Sequence, residues 1–248
     1  GDTACIATLY RQGRMHPEVS SFANRHFYNG QLCPVPLPHQ TSTLPYNTYD
    51  KASALQALIA THRTAFINCP MPKQEERFKT NSHEAQLCAM VVKNIIELYR
   101  TNGIPYDAHQ TIGIISPFRG QGALIRNELS LLDMEEYTQH ISIDTVERYQ
   151  GSQRDIIIYC TTITSPSQME LIVEAIDPTS PIVNQPIDRK LNVALTRARM
   201  QLFVIGIPQV LDTDCNYRAL INELPQYLHP TAEYCNQSSN NVPKNSGR

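Results

Sequence analysis

Four short apolar runs rich in β-branched residues, separated by amphipathic stretches, restrict this chain more than any other feature. They are Ala65 to Asn68, Thr111 to Ser116, Asp155 to Thr162 and Gln201 to Ile207. Each is too short for an ordinary helix, and too continuously apolar for a strand with one wet face. Strands buried on both faces belong in a parallel sheet covered by helices. A fifth run, Ile141 to Asp144, is shorter. Ser82 to Asn102 reads as a covering helix: Leu87, Met90, Val91, Ile95 and Leu98 keep a helical period before Gly103, and Ser82 is the expected N-cap. Gly120 to Leu132 and Asp188 to Met200 read as two more helices, and Pro17 suits the first turn of another. The expectation is one α/β domain over residues 1–235, followed by an Asn/Ser-rich flexible tail over 236–248.

Proline punctuates the rest. Leu32 to Asn47 carries Pro34, Pro36, Pro38 and Pro45, and Ser165 to Pro186 carries four more, so both stretches are expected to be irregular. The formal net charge of −2 argues against a protein that holds polynucleotides by bulk attraction, so any such contact must be local. Seven scattered cysteines, none at Cys-x-x-Cys spacing, suggest neither a zinc site nor a disulfide framework. Reduced thiols then point to an intracellular, by default cytoplasmic, protein. No window is apolar enough for a membrane span, the start Gly-Asp-Thr-Ala-Cys is not a signal peptide, and a leading Gly without Met reads as a tag scar or a cut-out fragment.

Four segments carry chemistry. The first is Leu9-Tyr10-Arg11-Gln12-Gly13-Arg14-Met15-His16-Pro17, with Phe22, Phe27-Tyr28 and Gly30 beyond it. Arg14 suits phosphate because a guanidinium stays charged and makes paired hydrogen bonds; His16 reads as structural. The second, Gly113 to Gln121, is a strand running through Ser116-Pro117-Phe118 into a helix, and strand ends of this kind are where open α/β sheets place ligands. The third, Ile143 to Asp155, contains Thr145, Val146, Gln150, Gly151 and Gln153; Gly151 permits a positive φ, while Thr145 and Gln150 offer neutral hydrogen-bonding groups. The fourth is Asp188-Arg189-Lys190-Leu191-Asn192-Val193-Ala194-Leu195-Thr196-Arg197-Ala198-Arg199. Continued as one helix, it sets Leu191, Ala194, Leu195 and Ala198 on an apolar face, with Arg189 and Arg197 about 80° apart on the other side and Arg199 about 200° beyond Arg197.

In this order and spacing the segments resemble the second-half motifs of superfamily 1 nucleic-acid helicases, of the nonsense-mediated-decay and replication helicase-nuclease type. The resemblance spans most of residues 9 to 206 and implies a RecA-like α/β domain, a P-loop NTPase-type parallel sheet without its own P-loop. It implies that Arg197 is an arginine finger and that Arg14 reaches the γ-phosphate. Gln12, Gly151, Gln153 and Arg189 would lie at the nucleotide, and Ser116, Pro117, Phe118, Gln121, Thr145, Val146 and Gln150 along single-stranded DNA or RNA. Gly13 stands where the family has Tyr, Glu147 where it has Asp, and Gln153 where it has a Glu that contacts the nucleotide, so Gln153 keeps an acceptor and loses the charge.

No Gly-Lys-Ser or Gly-Lys-Thr occurs, and no Asp-Glu pair follows a strand to hold Mg²⁺. The resemblance assigns both to a first RecA-like domain of the same parent chain, which would bind most of the ATP and Mg²⁺, leaving this chain inactive alone. A degenerate domain serving as a protein-interaction or regulatory module is the alternative; a helicase-like half fused to a nuclease or other effector is another.

Overall fold

A computed structural model describes residues 10–47, 52–73, 78–149, 151–173 and 188–228. The first half runs β1 (Arg11–Gln12), α1 (Pro17–Phe27), β2 (Cys33–Pro34), α2 (Pro38–Thr41), α3 (Ala54–Thr61), β3 (Thr64–Asn68), α4 (Ser82–Thr101), β4 (Ile112–Ile115) and α5 (Arg119–Ser130). The second half runs α6 (Glu135–Thr138), β5 (Ser142–Asp144), β6 (Arg154–Cys160), α7 (Arg189–Leu195), β7 (Ala198–Gly206), α8 (Pro208–Leu211), α9 (Cys215–Glu223) and β8 (Gln226–Leu228).

The six longer-range strands form one sheet in the order β5-β4-β6-β7-β3-β8, every pairing parallel. All five expected strands are in it. The sixth, β8, pairs Phe66 to Asn68 with Gln226 to Leu228 at the edge; three residues with one buried side chain carry too little pattern to be read. In the centre, Ile156, Ile157, Ile158, Phe203, Val204 and Ile205 are essentially solvent-free, which is why those runs are apolar without alternation.

Helix α4 matches the expected span, but its N-cap is Asn81, whose side chain accepts the Glu84 backbone N–H. Asn and Ser both cap well, and the adjacent pair Asn81-Ser82 left the choice to the fold. Leu87, Val91, Ile95, Ile96 and Leu98 are buried, each contributing about 1.5–3 kcal/mol relative to exposure. Helix α1 begins at Pro17 as expected, with His16 as N-cap through its ring, which accepts the Glu18 N–H at 3.2 Å.

The expected helix from Asp188 to Met200 is wrong in its second half. Asp188 caps it, accepting the Leu191 N–H at 2.9 Å, but the helix ends at Leu195 and the chain enters β7 at Ala198. Ala198 is buried by pairing with Arg154 across the sheet, not by continuing the face of Leu191 and Ala194. A buried Ala at helical spacing fits either element, and a nine-residue strand paired with β6 from Ala198 and with β3 from Leu202 outweighs one more helical turn. The 80° and 200° relations drawn for Arg197 and Arg199 therefore do not hold.

Leu32 to Asn47 holds only two residues of strand and a single helical turn, in keeping with its prolines. Of the second irregular stretch, Pro166–Leu171 forms a 3₁₀ turn, and residues 174–187 lie outside the described residues, as does the tail over 236–248.

Candidate ligand grooves at opposite ends of the sheet

The first groove lies at the amino ends of β6 and β7, where the first and fourth motifs meet. The His16 N–H donates to the Arg199 carbonyl at 2.8 Å, docking the turn before α1 against the start of β7. Gln12 folds that turn on itself: its Oε1 accepts the N–H groups of Arg14 and Met15 at 3.1 and 2.8 Å. Gln40 of α2 clamps it from outside, donating to the carbonyls of Gln12 and Met15, and a His39 ring nitrogen meets the Arg14 carbonyl. Gln12 is thus a scaffold for the turn as well as part of the groove wall.

Arg14 Nε donates to Gln153 Oε1 at 3.2 Å, and its Nη1 to the Thr196 carbonyl at 3.1 Å. Arg197 Nε donates to the Val193 carbonyl at 3.0 Å. The groove, about 370 Å³, is lined by Arg11, Arg14 and Arg197 together with Tyr28, Thr196 and neutral neighbours, and among the described residues no carboxylate enters the lining. Burial first, and then the like charge of Arg14, push the Arg197 guanidinium below its ordinary pKa. Cations gathered without a counter-charge fit an oxyanion such as a phosphate, supplied from outside.

Of the four expected nucleotide-side residues, Gln12 lines the groove, Gln153 meets it only through its hydrogen bond with Arg14, and the other two are elsewhere. Arg189 is the exposed first residue of α7, and Gly151 is exposed in the turn before β6; neither lines the groove. Gly151 does have the positive φ its residue type suggested, 89°. Arg199 lies on β7, paired with Asp155 at 2.8 Å.

The second groove, about 710 Å³, opens at the carboxyl ends of β4 and β5. Of the residues expected along a nucleic-acid strand, Pro117, Phe118 and Thr145 line it. Three do not. Ser116 is buried, its hydroxyl 3.1 Å from that of Thr162; Val146 is in the core; and Gln121, fully buried, exchanges hydrogen bonds with the backbone of Asn81. The family resemblance implied a strand-facing role for Ser116 and Gln121, but burial committed their hydrogen bonds to the protein. Gln150 lies outside the described residues. The lining also includes Phe78, Lys79, Arg119 and Arg148, with Glu147 as its carboxylate. Arg119 and Arg148 were inside the motifs and could have been named from their charge. Phe78 and Lys79 carried no sequence signal.

Under this groove lies a buried polar knot. Glu84, fully buried in α4, accepts the Thr162 N–H at 2.7 Å and the Thr161 hydroxyl at 3.0 Å. Burial raises its pKa to about 8 against those hydrogen bonds. Thr162 has a φ of 69°, an uncommon conformation for a β-branched residue, held by the contacts to Glu84 and Ser116. The Ser116 hydroxyl in turn accepts the Phe118 N–H at 3.4 Å, so the knot reaches the groove wall. Thr145, just after β5, lines the second groove, and Gln153, just before β6, holds Arg14 at the first. Tyr149, between them in sequence, packs where Gly113 leaves room, since a Cβ there would come within 2.2 Å of the Tyr149 hydroxyl. Among the described residues no three His, Cys, Asp or Glu side chains gather as a metal site, and no helix is long and apolar enough to cross a membrane.

A family model described as an AAA domain matches residues 2–209, which takes in both grooves. The chain belongs to that family. It is a superfamily 1 helicase domain of the nonsense-mediated-decay type, with the parallel α/β sheet that class implies. The relatives it is similar to include Regulator of nonsense transcripts 1 of Dictyostelium discoideum, 30% identical over 85% of this chain and 14% of that protein. Helicase SEN1 of Saccharomyces cerevisiae is 27% identical over 86% of this chain and 9% of its own length. The DNA replication ATP-dependent helicase/nuclease JHS1 of Arabidopsis thaliana is 25% identical over 89% and 15%. The chain thus spans about a seventh or less of these relatives.

Proposed function

We propose that this chain is the second motor domain of an intracellular ATP-dependent helicase. It presents Arg14 and Arg197 to the γ-phosphate of ATP held mainly, with Mg²⁺, by a first RecA-like domain of the same parent chain. It grips single-stranded DNA or RNA in the groove at the other end of the sheet. The observation that carries this reading is the acid-free groove: three guanidiniums, two of them fixed to backbone carbonyls, surround a space that no carboxylate among the described residues lines. The interaction-module alternative leaves that cluster unexplained. Closing this face on a partner domain would bring the arginines to charge that develops during phosphoryl transfer. The third motif contributes to both grooves, since Gln153 holds Arg14 and Thr145 lines the strand groove. The isolated chain is expected to hydrolyse no ATP.

The test is Arg197→Ala beside Arg199→Ala in a protein that includes the first motor domain. Removing Arg197 should cut nucleic-acid-stimulated turnover by about 10³-fold or more while changing ATP affinity little. Removing Arg199, which is ion-paired to Asp155 on the sheet, should spare most of the rate. Equal rates for both variants and the parent, or a greater loss with Arg199→Ala, would end the assignment.

A further inference from the structure

Phenylalanine divides sharply in this molecule. Four of the six, Phe22, Phe27, Phe66 and Phe203, are in the core, and the other two, Phe78 and Phe118, line the same groove. Phe78 is 62% exposed, and Lys79 beside it holds a left-handed φ of 65°. The Lys79 ammonium lies 5.2 Å from the Phe78 ring centroid and 5.5 Å from that of Phe118, so one cation bridges two aromatic faces. Arg119 and Arg148 bring further positive charge to the same groove of a chain whose net charge is −2. Helix α5 begins there at Arg119, and its N-cap Phe118 offers no side-chain acceptor to the first turn.

We propose that Phe78 and Phe118 form a stacking platform for an unpaired nucleobase, with Lys79 and Arg119 holding the phosphates that flank it. A base has a π-face whatever its identity, so such a platform grips a strand without reading its sequence, as a translocating contact requires. In the free protein the Lys79 ammonium lies against both rings; an arriving base takes its place, and the charge turns to the backbone. Phe78 is the residue on which this rests, because it precedes α4, outside the segments that define the family resemblance. The inference stands on reading this groove as the strand-binding face, and the experiment separates the two.

The chain contains no tryptophan, so Phe78→Trp installs a lone fluorophore at an exposed position. It is titrated at low ionic strength with an oligothymidylate and with an abasic deoxyribose-phosphate strand of equal length. Thymidylate should quench the fluorophore and the abasic strand should not, although both bind. Phe78→Ala should weaken thymidylate binding about 5- to 100-fold and leave abasic binding within about twofold. Lys79→Gln should weaken both alike. Equal loss on both strands with Phe78→Ala, or binding of thymidylate without quenching, overturns the platform and leaves the strand groove standing. Failure of the unsubstituted chain to bind either strand overturns the groove reading and the platform with it.

Discussion

The two grooves sit at opposite ends of the same parallel sheet, on different strands, and are built on different principles. The arginine groove is small, without a carboxylate among its described lining residues, and its principal cations are tied down: Arg14 to Gln153 and Thr196, Arg197 to Val193. The second is about twice the volume and mixes aromatic rings, cations and a carboxylate; its Arg148 is held by an ion pair with Asp144 at 3.5 Å between exposed side chains. Tethered charge in a confined space suits a compact anion whose position must be fixed, because little reorganisation is left to do when charge develops. Loosely held charge beside rings suits a polymer that must slip past. The pairing teaches that charge count alone does not distinguish the two tasks; the hydrogen bonds already spent on each cation do.

Several substitutions would break or sharpen that contrast. After Arg197→Ala, the largest effect is expected from Arg14→Ala in a protein carrying the first motor domain. Turnover should drop by about 10²- to 10³-fold while affinity for a single strand stays within about twofold, read by steady-state ATPase assay and fluorescence anisotropy. A parallel loss of strand affinity would mean that the ends of the sheet are not functionally separate.

The reciprocal change is smaller. Lys79→Gln with Arg148→Gln should weaken strand binding by about tenfold at moderate salt and reduce the slope of log affinity against log salt by about 0.7 for each phosphate that no longer meets a cation. Basal ATP hydrolysis should be unaltered. An unchanged salt slope would remove both cations from the interface.

Smallest is the pH response of the knot that supports the second groove. The Glu84 pKa is raised to about 8 from an ordinary 4.5, so between these values the folded state holds more protons than the unfolded one. This contribution to stability is complete below about pH 4.5 and is lost as pH rises through about 8. Glu84→Gln should flatten the thermal midpoint across that window relative to the parent, with strand binding at about pH 8 retained because a carboxamide can still accept from the Thr162 N–H. Identical pH profiles in the two proteins would show that Glu84 does not titrate in this range.

Much of this molecule was legible before any coordinates. Continuous β-branched runs give a parallel sheet because a strand buried on both faces has no polar side to show. The order of the motifs gave the family, and the absence of a Gly-Lys-Ser or Gly-Lys-Thr loop gave the expectation of a shared ATP site. Arg14 and Arg197, far apart in the chain, were paired on the resemblance alone, and they do line one groove.

Other features depended on which surfaces met. The helix read through to Met200 stops at Leu195 because β6 and β3 compete for the residues from Ala198 onward, and a periodicity of side chains is blind to that competition. Ser116 and Gln121 look like surface donors in a string of letters; in three dimensions Thr162 and Asn81 had already taken their hydrogen bonds. Phe78 shows the converse, an apolar residue left in water beside a cation, and no local pattern marks it. Local periodicity and composition are short-range properties and fix elements. Whether a side chain is spent on the fold or left for a ligand depends on partners distant in sequence, and only the packed structure brings those together.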